Sequence, residues 1–168
     1  MSGPHDAVRV EVLVRVSPQR AFELFTTDID RWWRRGPAYR IRDGVFSLEP
    51  GLDGALRERW GPGPDEQFVF GRVLVWEPGA RLLLRWRGPN FQPEQATEVE
   101  LRFEPTPSGT RVCLEHRGWD NLPDDAPVRH GRRGTDFLVW FGSWWSDNLR
   151  SAERWAAASL SPSPPTES

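Results

Sequence analysis

Two ionisable residues, Glu58 and His116, lie in segments that have the alternating pattern of a β-strand. Each occupies the same phase of that alternation as hydrophobic neighbours. In segment 55–60, Glu58 alternates with arginines and shares its phase with Trp60. In segment 111–118, His116 follows the same period of two. Because successive side chains of a strand point to opposite faces, both residues are predicted to face the core.

An inward Glu and His can serve three kinds of role, and the sequence leaves all three open. In a structural role, Glu58 pairs with an arginine and His116 donates a hydrogen bond to a backbone carbonyl. In a binding role, the two side chains orient a polar group of an otherwise apolar ligand. In a catalytic role, they act as general acid and base, because histidine titrates near neutrality and burial raises the pKa of a glutamic acid towards it.

Aromatic residues accompany this pair. The chain has 10 Trp, whose side chains are large and whose indole N–H needs a partner when it is buried. The pattern predicts an internal cavity with aromatic walls. Besides the Glu and the His, the side chains expected to contact a ligand there are Trp33, Trp60, Trp86, Phe103, Phe137, Phe141, Trp144 and Asn148.

The elements that must position these residues follow from hydrophobic periodicity. Alternating residues predict a first strand over 8–16, and Ser17-Pro18 begins the first of two short helices that end near Trp33. A long helix is predicted over 130–158. Between the short and the long helices, six further strands typical of an antiparallel meander are predicted over 45–49, 55–60, 68–77, 81–87, 97–104 and 111–118.

This layout predicts an α+β fold in which a curved sheet of six or seven strands wraps around the last helix. That helix alone is long enough to cover the apolar face of the sheet. Strand phases are clear except in 68–77, where two phases compete. The longer, irregular connections 61–67, 88–95 and 119–128 fall on one rim, where the mouth of a pocket is expected.

Length and charge narrow the class of protein. The 168 residues suffice for a single domain, expected over 1–158 and followed by a disordered Ser/Pro tail over 159–168. A net charge of −2 argues against nucleic acid as a partner. No apolar run is long enough for stable membrane insertion, and the N-terminus has no signal-peptide pattern, so a cytoplasmic protein is expected.

Residue usage excludes several kinds of chemistry. Cys113 is the single cysteine, and the three His have no ligand spacing, so neither a disulfide nor a metal site is predicted. All 22 basic residues are Arg, which removes lysine Schiff-base chemistry. No cofactor is expected.

Four segments of the chain resemble one protein family. They are AFELFTTDIDRWW (21–33), DGALRERW (53–60), FGRVLVWEPGARLLLRW (70–86) and TRVCLEHRGW (110–119). In order and spacing they are similar to the activator of heat shock protein 90 ATPase homologue-like family. That family belongs to the START and birch-pollen-allergen-like helix-grip superfamily, abbreviated SRPBCC. The resemblance implies a helix-grip fold with a ligand cavity, but no single reaction, because the superfamily holds carriers, sequestering proteins, cyclases and chaperone cofactors.

Together these features predict a bacterial protein that binds a small hydrophobic or aromatic molecule without catalysis, as a carrier, sensor or sequestering protein. Two alternatives stay open. One is an enzyme of the polyketide-cyclase or hydratase type that uses His116 and Glu58 with bound water. The other is an interaction module associated with chaperones or the stress response, which a cavity filled by Trp side chains would favour. A homodimer is compatible with each of them.

Overall fold

Seven antiparallel strands form one sheet in the computed structural model, which describes residues 6–160 of the chain. The spatial order is β1-β7-β6-β5-β4-β3-β2, so the strands after the first pair with their neighbours in sequence and the first pairs with the last. This confirms the predicted meander. The strands are β1 (Ala7–Val14), β2 (Val45–Leu48), β3 (Ala55–Arg59), β4 (Gln67–Glu77), β5 (Arg81–Trp86), β6 (Thr97–Thr106) and β7 (Gly109–Arg117).

The helices begin where local backbone chemistry allows. At the first of them, the Ser17 hydroxyl accepts a hydrogen bond from the N–H of Arg20 at 3.2 Å, and Pro18 occupies the first turn, as predicted. The last helix begins at 134 instead of 130, because His130, Gly131 and Gly134 have left-handed φ values of 49°, 79° and 52°, and regular right-handed helix continues only after the last of them. The helices are α1 (Pro18–Thr26), α2 (Ile29–Trp32) and α3 (Gly134–Ser159), and single 3₁₀ turns lie at Trp119–Asn121 and Pro127–Arg129.

α3 packs against the sheet through one continuous stripe. Trp145 belongs to this stripe and is 3% exposed, whereas its neighbour Trp144 is half-buried at the margin. Of the predicted tail over 159–168, only the first two residues belong to the described part of the chain, and α3 extends to the first of them. The buried side chains of the stripe are Phe137, Phe141, Trp145, Asn148, Leu149, Ala152 and Ala156.

β4 contains two irregularities, which explain why periodicity gave two competing phases. Its register shifts once against β3 and once against β5. Each β-bulge reverses the phase of the residues beyond it. Phe70, Gly71 and Val73 are therefore all buried although they do not share one phase. Neither phase predicted for 68–77 is right over the whole strand.

Aromatic side chains fill the space between α3 and the sheet. The ring of Trp33 stacks on that of Phe46 with 4.5 Å between centroids, and it meets the ring of Trp145 at 5.7 Å. The cavity that remains among these rings has a volume of about 20 Å³, which is room for about one water molecule. The large internal cavity expected from the sequence is therefore occupied by the protein's own side chains.

Candidate functional site

A cleft of about 580 Å³ opens at one rim of the sheet, beside the first turns of α3. We call it the rim cleft. Its walls come from segment 37–41, from 88–90 after β5, from the region 119–130 after β7 and from α3. A concave, mostly apolar surface with a few polar groups is the usual form of a small-molecule site. The aromatic residues that line it are Tyr39, Phe70, Trp86, Trp119, Trp140, Phe141 and Trp144.

The rim cleft lies close to two of the three connections predicted at the pocket mouth. Connections 88–95 and 119–128 contribute residues to it, whereas 61–67 contributes none. Segment 37–41 takes that place, with the only Tyr of the chain at its centre. This segment has neither strand nor helix periodicity, so the sequence contained no signal that it would form a wall.

Arg40 anchors this segment through a side chain that is completely buried. Its guanidinium donates to Oδ1 of Asp30 at 2.6 Å and to the carbonyl oxygens of Gly44 and Trp33 at 2.6 and 2.5 Å. Burial acts to raise the pKa of Asp30, but the hydrogen bonds from the Phe46 N–H and from Arg40 outweigh it and lower this pKa. The wall of the cleft is thus tied to α2 and β2 by an ion pair between the buried Arg40 and the partly buried Asp30.

Glu58 fixes the other end of the same segment. Its fully buried carboxylate accepts hydrogen bonds from the backbone N–H groups of Ile41, Arg42 and Gly44 at 2.7, 2.9 and 2.9 Å. The sequence predicted an arginine or a ligand as its partner. Backbone donors take up both oxygens instead, and the side chain does not line the rim cleft.

His116 is fully buried, and both of its ring nitrogens have partners. Nδ1 lies 3.1 Å from Nε1 of Trp145, and Nε2 lies 2.6 Å from Oγ1 of Thr97. An indole N–H can only donate, so Nδ1 accepts, and the proton of the neutral ring is on Nε2 and donated to Thr97. Burial holds the pKa of His116 well below its usual value. The ring has no free nitrogen for a ligand or for proton transfer.

The neutral state of His116 predicts a loss of stability in mild acid. Unfolded histidine titrates near pH 6.5, so below about that pH the unfolded chain binds a proton that the folded chain does not. The free energy of unfolding should fall by up to about 1.4 kcal/mol per pH unit as the pH drops below about 6.5.

Urea unfolding between about pH 7.5 and 5.5 measures this pH dependence. Most carboxylates titrate below this range, so they contribute little to it. His116→Gln should flatten the dependence, whereas the same change at the exposed His130 should leave it in place. Equal pH dependence in the two variants would contradict the prediction.

The residues predicted to contact a ligand separate into two groups. Trp86, Phe141 and Trp144 line the rim cleft. Ligand contact stays a prediction for these three. The others lie away from the lining of the rim cleft, namely Trp33, Glu58, Trp60, Phe103, His116, Phe137 and Asn148.

Trp60 and Phe103 do not share a cavity with Trp86, contrary to the prediction. Phe103 is on the inner face, but it packs under α1, where its ring centroid is 5.3 Å from that of Phe22. Trp60 comes directly after the last residue of β3, where strand alternation no longer determines its direction. Its ring lies instead 5.7 Å from the guanidinium of Arg42.

Three more of the predicted residues have partners inside the protein. Nε1 of Trp33 donates to the carbonyl of Tyr39 at 3.0 Å, and Phe137 is completely buried. Asn148 occupies a position of α3 where an apolar residue is the usual choice. Its Oδ1 accepts the backbone N–H of Arg34 at 3.0 Å, so the amide ties α3 to the segment after α2.

Within residues 6–160, no helix is long and apolar enough to cross a membrane. Over the same residues, no group of three or more His, Cys, Asp or Glu is placed to hold a metal ion. Burial, with nearby carboxylates, raises the pKa of Cys113 to about 11, so this thiol is protonated at neutral pH.

A curved antiparallel sheet closed by a long C-terminal helix defines a helix-grip protein. Within that class, the family model described as "Activator of Hsp90 ATPase homolog 1-like protein" matches residues 15–135. The chain belongs to this family, which confirms the resemblance found in its four segments. No curated protein matches the sequence.

Solved structures share this fold at low sequence identity. Protein MLL2253 from Mesorhizobium loti has a TM-score of 0.65 and 17% identity, over 93% of this chain and 99% of that one. The Aha1 dimer from Colwellia psychrerythraea has a TM-score of 0.61 and 17% identity, over 92% and 98%. DynU16, from the dynemicin biosynthetic locus, has a TM-score of 0.64 and 22% identity, over 93% of this chain and 49% of that one. At these identities the likeness shows the fold alone.

Proposed function

We propose that this protein binds a small apolar or aromatic molecule in the rim cleft, without catalysis. The observation that carries the proposal is the contrast between two spaces. The cavity between α3 and the sheet has a volume of about 20 Å³, whereas the rim cleft has about 580 Å³ and aromatic side chains on several walls. Aromatic rings offer large apolar surfaces and favour offset or edge-to-face contact with another ring. A planar aromatic ligand is therefore the best fit.

The polar groups at the cleft support a neutral ligand. The Tyr39 hydroxyl donates to Oδ2 of Asp147 at 3.1 Å, and Arg34 lies 3.7 Å from the same carboxylate. Burial and the bond to Asp147 raise the pKa of Tyr39, so its hydroxyl stays protonated. Arg40 is occupied by Asp30 and by backbone carbonyls. Charges at this cleft are thus already paired, which favours an apolar molecule with one or two neutral polar groups.

The catalytic alternative loses the residues on which it depended. A cyclase or hydratase of the kind considered needs His116 and Glu58 beside the ligand, with a water molecule between them. Neither residue lines the rim cleft, and the protein itself provides partners for the two ring nitrogens and the two carboxylate oxygens. This supports binding without proton transfer by that pair.

A protein-interaction role is the second candidate, because the interior is filled by Trp side chains. In that role an apolar side chain of a partner, rather than a small molecule, would occupy the rim cleft. Ile41 in the wall and Val139, next to Trp140 on α3, are both exposed and would extend the contact surface. Native mass spectrometry of the purified protein separates the candidates, since a bound small molecule adds a discrete mass.

Replacing Trp140 by Ala should weaken binding of an apolar fluorescent probe, N-phenyl-1-naphthylamine, by about tenfold. That factor corresponds to about 1.4 kcal/mol, a reasonable loss for one aromatic wall. The dissociation constant from a fluorescence titration is the measurement. Trp144→Ala should have at least this effect, because the Trp144 Nε1 also donates to the carbonyl of Ala38 at 2.7 Å and holds the opposite wall.

Trp155→Ala is the matched control for these variants. Trp155 is on the same helix and is half-buried like Trp140, but it lies outside the cleft, with Arg31 over its ring. Its replacement should leave the affinity for the probe unchanged. The proposal fails if the wild-type protein shows no saturable binding of an apolar probe, or if the control loses as much affinity as Trp140→Ala.

A further inference from the structure

A second pocket, also of about 580 Å³, lies at the β2 end of the sheet. We call it the edge pocket. It shares no residue with the rim cleft, but the two are neighbours, since 37–41 lines the cleft and 42–44 lines the edge pocket. Trp60, which the function proposed above does not use, belongs to its lining.

Part of the lining of the edge pocket is apolar. It consists of the half-buried Trp60, of Pro62 and of Val45, which is 56% exposed although it belongs to a strand. An indole ring beside exposed aliphatic side chains can pack against a planar ring. This apolar part of the lining therefore offers a place for an aromatic group.

Two arginines also belong to the lining of the edge pocket. The guanidinium of Arg42 lies 5.7 Å from the centre of the Trp60 ring. Arg59 also lines the pocket, and its guanidinium donates to the neutral amide oxygen of Gln67 at 2.7 Å. A guanidinium beside an indole face, with donors in a planar fork, is suited to a carboxylate or a phosphate.

These two positive charges have no carboxylate partner among the described residues. Asp43, the acidic residue in the lining, pairs with Arg35 at 3.2 Å, and Glu49 at the end of β2 pairs with Arg57. Arg35 and Arg57 thus have carboxylate partners, whereas Arg42 and Arg59 have none within residues 6–160. An anionic group in the pocket would supply it.

We infer that the edge pocket binds a planar aromatic ring that carries an anionic group, a phosphate, sulfate or carboxylate. The ring packs on Trp60, and the anion accepts hydrogen bonds from Arg42 and Arg59. Nucleoside phosphates and aromatic acids share this chemistry. The ligand differs in charge from the neutral molecule proposed for the rim cleft, so the two sites can be tested separately.

Titration with 1-naphthyl phosphate, followed by the indole N–H signals in ¹H–¹⁵N spectra, tests this inference. The signal of Trp60, assigned by its loss in Trp60→Phe, should move with a saturable dependence on concentration. Arg42→Gln and Arg59→Gln should each weaken binding by about fivefold, as expected for a lost charge-assisted contact at an accessible site. Arg85→Gln, at an exposed position on β5, should have no effect.

Comparison ligands determine which chemical class of ligand the edge pocket binds. Inorganic phosphate alone and neutral 1-naphthol should both bind this site more weakly than 1-naphthyl phosphate. If either binds as tightly, the aromatic or the anionic half of the inference is wrong. Adenosine 5′-monophosphate and 2-naphthoate then distinguish a nucleotide from an aromatic acid.

The identity of the Trp signals that move distinguishes this inference from the proposed function. Movement of the Trp140 and Trp144 signals without that of Trp60 would place the ligand in the rim cleft and overturn the edge pocket. Binding at Trp60 that is unchanged in both arginine variants would also overturn it. Neither result is evidence against binding of a neutral aromatic probe in the rim cleft.

Discussion

Arg40→Met should reduce the free energy of unfolding by about 3–5 kcal/mol. The variant removes the donor that serves Asp30 and the carbonyl oxygens of Trp33 and Gly44, all inside or at the edge of the core. Met keeps most of the length and apolar volume of the side chain, so the loss reports missing hydrogen bonds more than a cavity. Urea unfolding at about pH 7 measures the change.

Arg35→Met is the matched control for this prediction. Arg35 approaches the same Asp30 at 4.0 Å, but its side chain is 59% exposed, so its replacement should cost no more than about 0.5 kcal/mol. Arg40→Lys should recover little, because one ammonium group cannot supply the planar fork of donors that reaches several acceptors. Equal losses in Arg40→Met and the control would show that burial of the Arg40 side chain contributes nothing.

Most of the fold could be predicted from the sequence, because strand periodicity and turn residues are local signals. Predicted and observed strands differ by a few residues at their ends, and Ser17 caps α1 as expected. Two features could not be predicted from periodicity. The bulges of β4 depend on its pairing with both neighbours, and α3 begins late because of the backbone at His130 and Gly131.

The candidate site was harder to predict than the fold. Periodicity gives the face of a strand on which a side chain lies, but not its position along the groove, so Phe103 could not be separated from Trp86. Periodicity also ends with the strand, which is why Trp60 was misplaced. The wall at 37–41 depends on buried partners distant in sequence, among them Glu58, and no local pattern indicates such partners.

Glu58→Gln should lower the free energy of unfolding by about 2–3 kcal/mol and weaken probe binding in the rim cleft by several fold. With its oxygen in one position, the amide keeps the bonds to Arg42 and Gly44, but its NH₂ then faces the N–H of Ile41, and two donors oppose each other. The flipped amide loses the other two bonds. Either orientation leaves a buried donor unpaired, which loosens the wall that carries Tyr39.

Glu49→Gln tests whether the effect belongs to the buried carboxylate. Glu49 follows β2, and its exposed side chain pairs with Arg57, so the same change there should cost no more than about 0.5 kcal/mol. Hydrogen exchange supplies the local measurement. The amides of Ile41, Arg42 and Gly44 should exchange faster in Glu58→Gln under conditions in which β6 and β7 remain protected. If these amides stay protected while the stability falls, Glu58 stabilises the core as a whole and does not hold the wall of the rim cleft in place.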